Sequence, residues 1–446
     1  MDLSRRTFLA ANGAALGVSL LPSKLLAAVE ARTPAMPRLD DWTSVRRQFR
    51  LSPQYLHFAG FFIVSHPEPV RAAIDGFRRA IDESPFLTVE QGMFEFESPH
   101  KSLTRKVQED IAPYLGGRVE QIALTGSTTA GLALVYHGLS LKPGQEVLTT
   151  AHDHYSHHES IRLSAERSGA SVRRVVLYDD PSRASVDEIV GRVRSAIRPA
   201  TRVLGVTWVH SSTGVRLPIR QISDVLKDVN RERGESDRVL LVVDGVHGLG
   251  AVDETVAQMG CDFFCAGTHK WMFAPRGTGL IWAKQENWAL LRPVIPSFSD
   301  GESYAAWEQN RLPREPNTAN RVSPGGFHAY EHQWAMGAAF RMHQRIGRAR
   351  IAERITSLND RCKQGLTTIK QVKLHTPREP ALSAGICCFE VEGQKPEQIV
   401  SKLLARKIIA STSPYAVSYA RLSAGLMNTP DEVDQAVAAV RAAAVA

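Results

Sequence analysis

Six short, largely apolar runs recur between Val119 and Leu291, with amphipathic stretches between them. They are Ile122–Leu124, Glu146–Thr150, Ser171–Leu177, Val203–Trp208, Val239–Val243 and Asp262–Ala266. Runs of this length bounded by polar, glycine-containing segments read as strands, and near-continuous apolarity marks strands buried on both faces. The intervening stretches, such as Thr129–Leu139 and Val186–Ile197, follow the helical period. Strand and helix in alternation predict an α/β fold with a mainly parallel sheet wrapped by helices. In such sheets the ligand crevice lies beyond the carboxyl ends of the strands. The residues just after each run are therefore the ones to read for chemistry.

Two of those positions carry the strongest signal. Asp244 closes the run Val239–Val243, and Lys270 follows Asp262–Ala266 within Gly267-Thr268-His269-Lys270-Trp271-Met272-Phe273-Ala274-Pro275-Arg276-Gly277. A lysine amine and a carboxylate at the ends of neighbouring parallel strands face one crevice. Pyridoxal 5'-phosphate needs that pair: the amine as a Schiff base, the carboxylate against its pyridinium nitrogen. Either residue alone reads more simply as a surface lysine or a helix-capping aspartate.

The surrounding polar loops fit the same cofactor. Thr125-Gly126-Ser127-Thr128-Thr129-Ala130-Gly131 joins a strand to a helix, where backbone N–H groups and small hydroxyls cradle a phosphate. Ser127 and Thr128 are the candidate ligands, with His269 reaching the same phosphate. His247, three residues past Asp244, is assigned to the cofactor's phenolic oxygen or its surroundings, with a structural histidine in a tight turn as the bland alternative. Ser211 or Ser212, in the loop after Val203–Trp208, is a second candidate for that oxygen, about as well explained by a simple turn. His152-Asp153-His154-Tyr155-Ser156-His157-His158 follows a buried run. His154 is assigned to stack on the pyridine face and to serve as a further catalytic group. Four histidines also invite a zinc site, but no second cluster completes a tetrahedral set, so no metal is expected. Arg421 offers a planar fork suited to an α-carboxylate, although a lone arginine is usually a surface residue.

Length and composition limit the alternatives. The 446 residues suit a large domain plus a smaller one, and 43% hydrophobic with 22% charged residues is ordinary globular composition. The net charge of +8 comes without a long basic run, which argues for a solvated surface and against nucleic-acid binding. Five cysteines, an odd number, make no disulfide framework. Cys387 and Cys388 are adjacent in the predicted strand Ala384–Val391 and should point to opposite faces.

The N-terminus carries an address. Ser4-Arg5-Arg6-Thr7-Phe8-Leu9 precedes the short, weakly apolar stretch Ala10–Leu21, the pattern of a twin-arginine signal. Cleavage is expected between about Ala27 and Ala31. The stretch is too short and too rich in Gly and Ala for stable membrane insertion. The expected organisation is a signal peptide over 1–31, an arm over 32–60, a large cofactor-binding domain over 61–325 and a small C-terminal domain over 326–446. Tyr55–Gly60 reads as a short strand, Pro69–Ile81 as a helix, Ser297–Pro324 as a long functional loop and His332–Leu366 as one long helical region. The small domain reads as βαβ-like, with a second strand near Tyr419–Ser423 and a final helix capped by Thr429.

Val242–Gly250 together with Ala266–Gly277 resembles class V of the aminotransferase superfamily, the fold type I pyridoxal-phosphate enzymes, and most closely its isopenicillin N epimerase-like branch. The resemblance runs from about Tyr55 to the C-terminus. It implies Lys270 as the Schiff-base lysine, Asp244 as the pyridinium partner, Thr128 and His269 on the phosphate, and His154 stacking. Arg421-Leu422-Ser423 with Asn428-Thr429 matches the family's C-terminal pattern, which implies Arg421 on the substrate carboxylate. A homodimer is implied too, since the family's sites lie at a subunit interface. Two departures stand out. Desulfurases carry a nucleophilic cysteine shortly before this arginine, whereas Ile409–Ala420 holds Ser411, Ser413 and Tyr415 and no cysteine. Ser323–Phe327 also lacks the threonine that many relatives lend to a neighbour's phosphate. The implied activity is an exported, periplasmic enzyme acting on the amino group or α-carbon of an amino acid or a peptide-borne amino acid. An exported enzyme of this type is similar to those that tailor siderophore peptides. Epimerisation or racemisation is the alternative. A non-catalytic binding protein on the same fold is a more distant one, because both Asp244 and Lys270 are present.

Overall fold

The computed structural model describes residues 36–93 and 102–445. The twin-arginine segment and its expected cleavage site lie outside the described residues. The arm contributes strand β1 (Leu56–His57). The large sheet then follows as β2 (Ile122–Thr125), β3 (Glu146–Thr150), β4 (Ser171–Val175), β5 (Thr201–Thr207), β6 (Leu240–Asp244), β7 (Phe263–Gly267) and β8 (Gly279–Ala283). Its spatial order is β2-β8-β7-β6-β5-β3-β4. Strands β3 to β7 run parallel, while β8 is antiparallel to both β7 and β2.

All six predicted runs form strands, and β8 is an addition. It returns directly from β7 through the Lys270 loop, with no helix between, so the βα alternation gives no sign of it. Side chains alternate between two cores. Leu241, Val243, Phe264 and Leu280 pack on one face, and Leu240, Val242, Phe263 and Ile281 on the other. With both faces of the central strands covered, the polar residues Thr207 and Asp244 lie at the carboxyl ends of β5 and β6.

The small C-terminal part is built from β9 (Val372–Leu374), β10 (Cys387–Val391), β11 (Ile408–Ile409), β12 (Ser411–Thr412) and β13 (Ala420–Leu422). Four of these form an antiparallel sheet in the order β12-β13-β10-β9. The expected βαβ unit is thus corrected: the helix Pro396–Ala405 leads from β10 into β11, and β11 pairs in parallel with β1 of the arm. Cys387 and Cys388 do point to opposite faces, into the small-domain core and the main core respectively. Thr429 caps the last helix reciprocally. Its Oγ1 accepts from the Glu432 N–H, and Glu432 Oε2 accepts from the Thr429 N–H, both at 3.2 Å.

Two further stretches differ from expectation. The region read as one long helix is two, Tyr330–Ile346 and Arg348–Thr367, broken at Gly347 with φ 96°. The first packs on the helices Glu68–Glu83 and Leu103–Leu115 and places Met336 and Phe340 in the main core. The second turns Leu358, Cys362 and Leu366 into the small-domain core. Ile351 and Ile355, early in the second helix, still pack in the main core, so this helix spans both cores. Ser297–Pro324 is not a bare loop. It holds the short helices Gly301–Glu308 and Ala319–Val322, capped by Asp300 and Thr318 and joined by the buried pair Arg321–Asp300 at 2.6 Å.

Candidate active site

The sheet centre sets the geometry. Thr207 of β5 lies opposite Asp244 of β6, and Asp244 lies opposite Cys265 of β7. Asp244 is thus the last residue of the central strand, 2% exposed, with its Oδ1 accepting from the Val246 N–H at 3.1 Å. Burial pushes its carboxyl above the usual range. His157, the Val246 N–H, Lys270 and His154 pull it back, favouring the anion.

Lys270 stands three residues beyond β7. Its Nζ lies 3.1 Å from His247 Nε2. Burial pulls the amine down to about 8, with Asp244 opposing and the Arg421 charge adding to the shift. Burial and the neighbouring cations hold His247 well below the usual histidine range, so its ring is neutral. A neutral ring that accepts from the amine through Nε2 carries its proton on Nδ1, and that buried atom has no partner among the described residues.

The expected phosphate cup is an open helix N-terminus. Ser127 caps Thr128–Gly138, its Oγ accepting from the Ala130 N–H at 3.1 Å. Thr128 Oγ1 accepts from the Gly267 N–H at 2.6 Å, which ties the cup to β7. Both hydroxyls keep their own O–H available to donate. A Cβ placed at Gly126 would meet only the Gly277 carbonyl oxygen, at 3.8 Å. A Cβ at Gly267 would lie 3.0 Å from both Thr128 Oγ1 and His269 Cε1, so these two side chains are neighbours. His269 Nδ1 is buried, with no hydrogen-bond partner within geometric limits among the described residues.

His154 caps the helix Tyr155–Ser168, with Nδ1 2.9 Å from Ser156 Oγ. Burial lowers its basicity, and Asp244, Lys270 and Arg421 all act on its charge, which places it in the same cluster. The other histidines of the run do structural work around Asp153, a residue that sequence reasoning passed over. Asp153 accepts from Thr149 Oγ1 at 2.7 Å, Thr150 N at 2.8 Å and Thr207 N at 2.8 Å, and is held down to about 2 despite burial. His157 bonds the Tyr136 hydroxyl at 2.7 Å, His158 bonds the Thr150 carbonyl at 2.7 Å, and His152 stacks on Tyr178 at 3.9 Å. Each ring is thus engaged separately. Among the described residues no group of three or more His, Cys, Asp or Glu is arranged to hold a metal ion.

Arg421, on β13, is 4% exposed and lies 4.5 Å over the Phe61 ring. It donates to the Ser211 carbonyl at 2.8 Å, the Thr412 carbonyl at 2.6 Å and Ser411 Oγ at 3.2 Å. No salt bridge to a carboxylate forms on it among the described residues. Ser211 bonds the Tyr415 hydroxyl at 2.7 Å rather than standing free for a cofactor oxygen. Tyr415, a second residue that sequence reasoning left without a role, packs T-shaped against the His154 ring, with centroids 6.1 Å apart.

The fit to pyridoxal phosphate can be judged on these atoms. An amine with depressed basicity, a buried carboxylate, two buried imidazole nitrogens unpartnered among the described residues, and an open helix N-terminus occupy one strip of the sheet edge. They supply what the cofactor's aldehyde, ring nitrogen and phosphate each need.

Comparison with known proteins agrees. The family described as aminotransferase class-V matches residues 83–436. An isopenicillin N epimerase of Amycolatopsis lactamdurans is 27% identical over 356 residues, 78% of this chain and 84% of its own. A cysteine desulfurase of Pectobacterium carotovorum is 26% identical, covering 80% of this chain and 86% of its own. Among solved structures, a C-DES mutant with glycine covalently linked to its PLP cofactor superposes with a TM-score of 0.77 at 19% identity, over 89% of this chain and 98% of that one. A cysteine desulfurase from Thermococcus onnurineus gives 0.75 at 19%, over 91% and 99%.

Proposed function

Because the chain belongs to the class-V aminotransferase family and its cofactor is pyridoxal 5'-phosphate, we propose that it moves a proton at the α-carbon of an amino acid or a peptide-borne amino acid, with epimerisation as the outcome. The observation that carries the reading is the convergence of Lys270, Asp244 and the Gly126–Thr128 helix N-terminus on one crevice. The bound cofactor supplies an electron sink for the substrate's α-carbon. The chain's residues do the rest. Ser127, Thr128 and His269 hold the phosphate, and Asp244 holds the ring nitrogen protonated. His154 covers the ring, and His247 borders its phenolic oxygen, while Ser211 is engaged with the Tyr415 hydroxyl. Arg421 receives the substrate carboxylate, its fork already oriented by three bonds to its own chain. Lys270, poised near neutrality, is the base.

The epimerase outcome draws support from the relatives named isopenicillin N epimerase. Relatives named cysteine desulfurase motivate the second reading. That reading needs an accessible thiol, and Cys261, Cys265, Cys362, Cys387 and Cys388 are all buried. Within this proposal the enzyme is a homodimer, exported by the twin-arginine route, and its substrate is a peptide such as a maturing siderophore.

The test is incubation of holoenzyme with both enantiomers of a panel of amino acids in D2O. Epimerisation gives the opposite enantiomer, carrying deuterium, without 2-oxo acid. Stoichiometric 2-oxo acid would instead assign transamination, and sulfide release from cysteine would assign desulfuration.

A further inference from the structure

The sheet edge is asymmetric about Asp244. Lys270 arrives from β7, on one side of β6. Ser211 and His154 arrive from β5 and β3, on the other. Tyr415 belongs to that second side, because its hydroxyl is 2.7 Å from Ser211 Oγ and its ring packs T-shaped against His154. Its loop is built to hold it there. Ser413 N donates to the Tyr419 carbonyl at 2.9 Å, Tyr419 N donates to Ser413 Oγ at 2.9 Å, and Ser418 Oγ donates to the Ser413 carbonyl at 2.7 Å. These bonds pinch the base of the loop between β12 and β13. The Ser211 bond then anchors its tip, and the Ser211 carbonyl is itself held by Arg421 at 2.8 Å. A phenol is thus fixed next to the arginine proposed to bind the substrate carboxylate, across Asp244 from the amine.

Resting on the reading of α-carbon chemistry above, we propose that Tyr415 is the second proton-transfer group, serving the α-carbon from the side opposite Lys270. The proton balance is complete without any redox partner. The Lys270 amine takes the α-proton and becomes an ammonium. The Tyr415 hydroxyl gives a proton to the α-carbon from the other side and becomes a phenolate facing the Arg421 guanidinium. A proton passed through solvent from the ammonium to the phenolate restores both groups. In the reverse direction the two exchange roles. The configuration inverts, and no bond other than C–H is made or broken at the α-carbon. Arg421 thereby does two tasks, binding the carboxylate and stabilising the phenolate.

Glycine is the probe, because its two α-hydrogens report the two sides separately. Holoenzyme is incubated with glycine in D2O, and the configuration of the monodeuterated product is followed by NMR. The wild type is expected to exchange both hydrogens. Tyr415→Phe keeps the ring against His154 and removes only the hydroxyl. It is expected to keep the cofactor absorption spectrum and exchange at one hydrogen, and to lose exchange at the other by about 100-fold or more, the scale of a positioned acid–base group. Ser211→Ala, which frees the hydroxyl from its anchor, is expected to slow the same hydrogen to a smaller degree. Wild-type exchange of one hydrogen only would overturn the proposal. So would unchanged exchange of both in Tyr415→Phe, or equal loss of both, which would mark a structural role. No exchange at all in the wild type would instead end the reading of α-carbon chemistry on which the proposal rests.

Discussion

An amine captures an aldehyde only when it is unprotonated, and burial has already brought Lys270 to about 8. The rate of cofactor capture by the apo-protein should therefore rise about tenfold per pH unit below 8 and level off above it. Stopped-flow absorbance with added pyridoxal phosphate measures this directly. Stability carries the same signature. In the unfolded chain the amine stays protonated up to its ordinary 10.5, so between 8 and 10.5 the unfolded state binds more protons, and apo-protein stability rises with pH across that window. Below 8 the fold bears the cost of a buried cation. Lys270→Met apo-protein should then be more stable than wild-type apo-protein at pH 7 by ~1–3 kcal/mol in urea, with the gap closing toward pH 10.5. Arg421→Lys removes the fork that reaches the Ser211 and Thr412 carbonyls and Ser411 Oγ. It should cost about 2 kcal/mol of stability and raise KM for a carboxylate-bearing substrate more than it lowers kcat. These residues were not equally legible. Lys270 and Asp244 showed in the sequence because each ends a buried strand. Arg421 sits within an unremarkable stretch and stood out only through its resemblance. Asp153 was passed over because four histidines flank it, and only folding shows that the carboxylate organises them.

At the scale of elements, the strips carrying Asp244 and Lys270 are locked by a backbone contact. Gly250 has φ +88°, and a Cβ there would lie 2.7 Å from the Trp271 carbonyl carbon and 2.8 Å from the Met272 nitrogen. Backbone cannot step aside as a flexible side chain can, so Gly250→Ala must both strain its own φ and push the Lys270 loop away from the Asp244 loop. We expect a loss of ~2–4 kcal/mol in chemical denaturation, combining strain with overpacking. Pyridoxal phosphate should also bind at least tenfold more weakly by spectroscopic titration. Unchanged affinity in a folded variant would show that the two strips are positioned independently. The central strands β6 and β7 were legible because burial on both faces makes them nearly uniformly apolar, whereas the edge strand β4 carries Arg173 and Arg174 and is partly exposed. The sequence concealed β8, whose antiparallel return needs no helix. It also concealed the break at Gly347, since one glycine inside an otherwise helical pattern is compatible with a continuous helix. The helices inside Ser297–Pro324 were signalled only by Asp300 and Thr318, caps that also read as ordinary loop residues.

For the whole molecule, the arm decides what the proposed export would have to carry. Strand β1 pairs with β11, Phe58 lies in the small-domain core, and Ala59 bridges Ser423. Arg46 pairs with Glu432 and reaches the Met427 carbonyl, and the Arg350 guanidinium covers the Trp42 ring at 4.7 Å. The arm is thus part of the folded body, and the expected cut between Ala27 and Ala31 spares all of it. A cofactor that binds only the native state would add to the stability of that body before the proposed transport. Ser4-Arg5-Arg6-Thr7-Phe8-Leu9 fits the route that accepts folded cargo. Replacing Arg5 and Arg6 together by Lys keeps the charge but removes the paired guanidinium groups. The variant should accumulate in the cytoplasm as full-length, yellow, cofactor-loaded protein, while the wild type is recovered outside it, cleaved and equally loaded. Fractionation, intact mass and visible absorbance read all three properties on one sample. Normal export of the double variant would place the chain on a route that threads unfolded polypeptide. The cofactor would then have to be acquired after the arm, the large sheet and the small domain had closed around Lys270.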